Sequence, residues 1–186
     1  MMARAEAARL AHAMRDLNNN QPPLSEVYPG QMAPIIRVSA DGEREMVDVQ
    51  WGMPTSKTAL FEATKKRADK LRVKGEEIDD ARFAHLLRME PDKGTTNIRN
   101  TDSRHWKPWL GPENRCLVPF TAFSEPDQVG GSLKPIWFAL SDDQPLGFFA
   151  GVFARASPAS RIGTSQYCCV VTSPFSNVSA WPGSSL

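Results

Sequence analysis

Apolar and polar positions along this chain follow two different periods, and the switches between them mark out its elements. From Ala3 to Leu17 the apolar residues Ala3, Ala7, Leu10, Met14 and Leu17 recur at steps of four and three. That spacing predicts one helix of about four turns, ended by Asn18-Asn19-Asn20 and Pro22-Pro23. A strand is expected around Ala33 to Val38, followed by Asp41-Gly42 and a run from Met46 to Met53 in which Val47, Val49 and Trp51 alternate with Asp48, Gln50 and Gly52. Asp-Gly between two such runs predicts a β-hairpin. Between residues 56 and 92 the helical period returns: Leu60, Thr64, Ala68 and Leu71 share one face, Gly75 interrupts, and Phe83, Leu86 and Leu87 predict a second short helix after Asp79-Asp80. Short apolar runs then recur at Cys116 to Phe120, Ile136 to Leu140, Leu146 to Phe153 and Tyr167 to Thr172, separated by Pro, Gly, Asp and Ser. The expected fold is α+β, a β-rich antiparallel sheet or partial barrel with an N-terminal helix and a helical insertion over residues 56 to 92.

Composition narrows the function classes. With 186 residues and 41% hydrophobic side chains, one domain with a proper core is expected. The formal net charge is only +1, so no global field draws the protein to nucleic acid, and any affinity for DNA has to come from a local cluster. No apolar run approaches the roughly 18 residues needed to cross a bilayer, and the Ala-, Arg- and Glu-rich start lacks the apolar core of a signal peptide. A cytoplasmic protein with no membrane partner is the expectation. Cys116, Cys168 and Cys169 form neither a metal-ligand spacing nor a disulfide framework and are read as reduced and structural. The glycines match no phosphate-binding loop, and no serine sits in a nucleophile elbow. No cofactor and no metal are expected.

Candidate chemistry concentrates between Thr95 and Glu125, in the run T-T-N-I-R-N-T-D-S-R-H-W-K-P-W-L-G-P-E-N-R-C-L-V-P-F-T-A-F-S-E. Asn97 donates and accepts hydrogen bonds without titrating, which suits holding a sugar hydroxyl or an aldehyde oxygen; the alternative is a loop-forming Asn. Glu125 follows an apolar strand, where partial burial would raise its pKa towards the range useful for proton transfer; the alternative is a solvated turn residue before Pro126-Asp127. Arg99 and Arg104 carry the forked donors that grip phosphates, or else form surface salt bridges. Trp51 either stacks on a base or belongs to the core. Lys65, Lys66, Arg67, Lys70, Arg72 and Lys74 make the densest basic cluster, but Asp69, Glu76, Glu77, Asp79 and Asp80 lie close by, and the mixed run is read as a solvated helix face in preference to a DNA contact.

This stretch resembles the SOS-response-associated peptidase family, also called abasic-site processing proteins. Members carry an N-x-R segment, matched by Asn97 and Arg99, an R-C-x-x-P strand, matched by Arg115 to Pro119, and then an acidic residue, matched by Glu125. Tyr28 to Pro34 (Y-P-G-Q-M-A-P) and Gln50 to Pro54 (Q-W-G-M-P) are similar to the family's approach to the same site. The resemblance implies a monomer acting on single-stranded DNA, with a covalent cross-link to abasic sites and an autopeptidase step that exposes an N-terminal cysteine. It assigns Asn97 and Glu125 to the chemistry and Arg99, Arg104 and Trp51 to DNA.

Two departures stand beside it. In the family, the cysteine following the initiator methionine captures the lesion aldehyde, its amine forming a Schiff base and its thiol closing a thiazolidine. An α-amino group with a pKa near 8 is neutral often enough at pH 7 to do this. Here the chain begins Met1-Met2-Ala3, with no cysteine before Cys116. The family also places a His ahead of a Met-Pro pair after its late strand, whereas His12, His85 and His105 do not occupy that position and are read as structural or surface residues. The domain is therefore expected to be incomplete at both ends, with the strand at Tyr167 to Thr172 left as an unpaired edge. A non-covalent single-stranded-DNA-binding module, or an inactive truncated fragment, is the alternative function, and whether the chain is an enzyme is left open at this point.

Overall fold

The structure, a computed structural model, describes residues 4–18, 26–127, 133–155 and 166–171. In chain order the elements are α1 (Arg4–Leu10), β1 (Arg15–Asp16), β2 (Met32–Val38), β3 (Arg44–Trp51), α2 (Lys57–Val73), α3 (Asp80–Arg88), β4 (Asn97–Ile98), β5 (Arg115–Phe120), β6 (Ala122–Pro126), β7 (Pro135–Ala139), β8 (Gly147–Arg155) and β9 (Gln166–Val171), with two 3-10 turns between β4 and β5. The predicted hairpin is present: β2 and β3 pair antiparallel from Met32 opposite Gln50 to Val38 opposite Arg44. Gly42, at φ 87°, supplies the left-handed backbone that its turn needs.

Five strands close on themselves. β2 pairs antiparallel with β3 and β5, β5 with β8, and β8 with β9, and β9 returns to β3 in parallel, Gln50 opposite Tyr167 and Trp51 opposite Cys168. β1 extends the sheet along β3, and β4 along β9. The barrel is thus mixed. The strand at 167–171 is not the unpaired edge that the sequence led us to expect: β8 flanks it on one side and β3 and β4 on the other. Only a closed sheet supplies that second neighbour.

Side chains alternate across the barrel wall. Ile35, Val47, Val49, Cys116, Val118, Phe153 and Cys168 form one buried cluster, whereas Tyr167, Cys169, Val152, Met53, Ile98 and Trp106 belong to a second on the opposite face of the same strands. Ile36 and Met46, also out of phase with the first cluster, pack on Ala7 and Ala11 at α1. Burial on both faces explains why several strands read as unbroken apolar runs.

The N-terminal helix is shorter than its periodicity predicts. It ends at Leu10: the Ala13 amide donates to Ala8 and the His12 amide to Arg9, with His12 at φ 52°. These are the paired bonds of a Schellman cap, made with His where Gly is usual, so the usual stop signal is absent from the sequence. Leu10, Met14 and Leu17, assigned to the buried face, are 42%, 74% and 58% exposed, while Ala7 and Ala11 are buried. The adjacent Asn18 is described, and Asn19 to Ser25 lie outside the described residues.

Arg4 fastens α1 to the barrel. Its guanidinium donates to Asp48 on β3 at 2.6 Å and to Asp16 on β1 at 2.8 Å, with its own side chain only 5% exposed. Replacing it by Met should cost about 3 kcal/mol in a urea melt, because two half-buried carboxylates lose their counter-charge. Burial opposes the charged form of Asp16, but hydrogen bonds from Arg4 and the Asn18 amide outweigh it and hold the pKa below the ordinary 3.8. A lowered folded-state pKa adds stability that is complete above the unfolded value near 4 and is lost as pH falls through the folded one. Asp16→Asn should therefore destabilise at pH 7 and become progressively closer to neutral below about pH 4.

The insertion at residues 56–92 matches expectation. Ser56 caps α2 through Ala59, Asp79 caps α3 through Arg82, and Thr64 and Ala68 are the buried positions of α2. β6 and β7 pair only with each other, Ala122 opposite Ala139 to Pro126 opposite Pro135. Phe123 joins this ribbon to the barrel, stacking on Phe138 at 5.3 Å and meeting Phe149 edge-on at 5.1 Å.

Candidate functional site

Where β3 leaves the barrel, two glycines let three backbone segments converge. Gly52, at φ 116°, donates to the Cys168 carbonyl at 2.8 Å, and Met53 exchanges hydrogen bonds with Thr95 at 2.8 and 2.6 Å. This brings Gly94, at φ 72°, against Gly52, and a Cβ on Gly94 would stand 3.1 Å from the Gly52 Cα. The third segment is Tyr28 to Gln31: the Gly30 amide donates to the Trp51 carbonyl at 2.7 Å, and the Trp51 amide to Gln31 at 2.8 Å. Between them lies a cavity of about 350 Å³, bounded by Trp51, Gly52, Gly94, Lys93, Gln50 and Tyr167 among others.

Asp92 organises the rim. Its carboxylate accepts from the Thr55 amide at 3.0 Å and the Gly94 amide at 2.9 Å, so it holds the 92–94 turn to the start of the helical insertion. Lys93 is exposed beside it. Neither residue carried a signal of its own; only the Pro-Asp-Lys-Gly turn ahead of Asn97 hinted at a loop here.

Trp51, half-buried, belongs in part to the core and in part to the cavity wall. Asn97 opens β4, half-buried, opposite Val170 on β9. Because β3 and β4 lie end to end along that same strand, the backbone between Trp51 and Asn97 forms one continuous edge of the site. Arg99 follows, exposed. Arg104 is exposed too, and its neighbour His105 donates through Nε2 to the Pro54 carbonyl at 3.0 Å, a group that can only accept. Trp106 and Trp109 hold the imidazole edge-on at 4.3 and 5.4 Å. His105 is thus structural, as expected, and its task is to tie the Arg104 loop to the cavity rim. Among the described residues neither Arg99 nor Arg104 makes a salt bridge.

Glu125 stands apart. It sits on β6, opposite Ile136, in the separate ribbon, and it is exposed where partial burial was expected. The strand that precedes it enters the barrel, but β6 has only β7 beside it, so nothing among the described residues covers the carboxylate.

All three cysteines are buried and unbridged. Burial pushes the Cys116 thiol up to about 12, against a weaker opposing pull from Arg37, and raises those of Cys168 and Cys169 further. They are structural, as their apolar neighbours predicted. Among the described residues no helix is long and apolar enough to cross a membrane.

Comparison with known proteins decides the lineage. The family model described as SOS response associated peptidase (SRAP) matches residues 1–181. The chain belongs to that family. A crystal structure of a protein from Bordetella bronchiseptica shares the SRAP fold of this chain with a TM-score of 0.56 and 18% identity, over 91% of this chain and 68% of its own. Others similar to it are a protein from Bacteroides thetaiotaomicron (TM-score 0.44, 18% identity, 76% of this chain and 50% of that one) and a phage-related protein from Bordetella bronchiseptica (0.43, 16%, 83% and 61%). The chain thus spans between half and about two thirds of the length of these structures. No curated protein sequence matches it.

Proposed function

We propose that this SRAP chain processes abasic sites in single-stranded DNA, with the lesion strand crossing the Trp51 cavity and its phosphates held by Arg99 and Arg104. The observation that carries this reading is a cavity of small-ligand size walled by a half-buried tryptophan, with His105, the neighbour of the exposed Arg104, bound to Pro54 on its rim. In the intact family chemistry, Asn97 holds the sugar or aldehyde oxygen and Glu125 moves the proton during ring opening and Schiff-base formation. Glu125 would act from the separate β6–β7 ribbon.

One observation favours a second reading, a non-covalent module. Cys116, Cys168 and Cys169 are closed off inside the fold, so none of them can capture an aldehyde. Covalent work by this fold requires an aminothiol other than these three.

Both readings share one test. Binding of an oligonucleotide of about 8 nucleotides, followed by fluorescence anisotropy, should favour the single strand over a duplex and weaken with salt, with a slope of log K against log salt of roughly −1.5 to −3 for two to four phosphate contacts. Substituting Arg99 and Arg104 by Gln should flatten that slope by about 1.4. Equal affinity for both forms of DNA, or a slope unmoved by the substitutions, sinks the assignment of these arginines.

A further inference from the structure

Helix α2 carries most of the positive charge that the chain concentrates anywhere. Its 17 residues hold six lysines and arginines against Glu62 and Asp69, a net of +4 in a chain whose total is only +1. The acidic residues near it in sequence are largely engaged. Asp69 pairs with Arg72, Glu76 with Arg82, Asp79 caps α3, and Glu90 takes Arg67. Lys66, Lys70 and Lys74 are exposed and form no salt bridge among the described residues.

These three lysines follow one another at every fourth position, about 6 Å apart along the axis, and Lys66 and Lys70 stand roughly opposite the buried Thr64 and Ala68. Like charges at that spacing repel and cost a helix a few tenths of a kcal/mol per pair. The helix that carries the row is tied to the cavity rim. α2 starts three residues after Pro54, which lines the cavity; the Thr55 amide is bound by Asp92; and Arg67 ties the helix to Glu90, just ahead of Lys93 and Gly94.

We infer that the Lys66–Lys70–Lys74 row is a second phosphate track, which receives the phosphodiester backbone of the same DNA single strand after it leaves the Trp51 cavity. The occupant follows from charge: a repeated anion matches a repeated cation, and a row beginning about 14 Å along the helix from its cavity-side end would be reached only by a strand longer than the cavity itself holds. This inference rests on the reading of the cavity as a DNA site. It adds to that reading a dependence on strand length.

The test compares strands of about 4 and about 24 nucleotides on the wild type and on Lys66→Gln/Lys70→Gln/Lys74→Gln, with thermal melts to confirm that the exposed substitutions leave the fold intact. For the longer strand the variant should show a salt slope shallower by about 2, so that between 50 and 200 mM salt it loses roughly 20-fold less affinity than the wild type. The shorter strand should bind both proteins alike, and the Lys→Arg triple variant should behave as wild type on both. Unchanged binding of the longer strand, or an equal loss on both lengths, overturns the track. If the wild type binds the longer strand through the lysines but not the shorter one, the cavity reading fails and the lysines are a phosphate site of their own, not a continuation of the cavity; if it binds neither, both fall.

Discussion

Incubated with a single-stranded oligonucleotide carrying an abasic site, a polypeptide of residues 1–186 should yield no adduct that survives heating. A thiazolidine needs an amine and a thiol on neighbouring carbons, and the thiols of this sequence sit at internal positions in a closed barrel, from 0% to 6% exposed. Burial pushes the Cys116 thiol up to about 12, so at neutral pH it is held as the unreactive thiol. Ellman's reagent should accordingly register no thiol in the native protein and all three after unfolding. A Schiff base to the Met1 amine or to a lysine is trappable by borohydride, whereas heat alone reverses it. A heat-stable band mapped to Cys116, Cys168 or Cys169 would contradict the burial on which the argument rests. When an N-terminal Met-Cys segment and the family's His-bearing segment are supplied, the adduct should form, and Asn97→Ala or Glu125→Ala should slow it by about 10- to 1000-fold through lost positioning or proton transfer. Cross-linking at an unchanged rate in both variants would move the site away from these residues.

The second large effect is expected at the glycine contact beneath the cavity. Gly94→Ala has to hold an L side chain at φ 72° and place its Cβ 3.1 to 3.2 Å from three backbone atoms of Gly52. Backbone cannot swing aside as a side-chain tip can, so Met53 and Thr95 must part. We expect a loss of about 3 kcal/mol in urea denaturation and a matching loss of DNA affinity. Gly75→Ala is the control, since it shares the left-handed backbone, at φ 88°, but its Cβ meets open space; about 1 kcal/mol is expected there. Gly94→Asn, which tolerates the backbone angle but not the contact, should be no milder than Gly94→Ala. Near-equal costs at Gly75 and Gly94 would show that the two backbones are not in contact in solution.

Local chemistry was enough to read much of this protein from its residues. The Asp41-Gly42 turn, the helical insertion with its Asp79 cap, the four late strands and the inert cysteines each depend on near neighbours, which a sequence displays directly. The match of Asn97, Arg99, Arg115 to Pro119 and Glu125 to one family was legible for the same reason, as short motifs in order. What needed the tertiary structure was whatever depends on segments distant in the chain. A four-residue period could not tell that His12 would take the left-handed position of a helix cap, because no glycine announces it. Strand 166–171 looked like an edge until closure of the barrel gave it β3 and β4 as neighbours, more than a hundred residues away for the first. The meeting of Gly52 with Gly94, the tie from His105 to Pro54 and the exposure of Glu125 likewise follow from how the sheet closes and where its ribbon departs. Sequence thus determined the residue types available for the chemistry, since side-chain identity is local. Closure of the barrel decided which of them share a cavity, since proximity between distant segments is a property of packing alone.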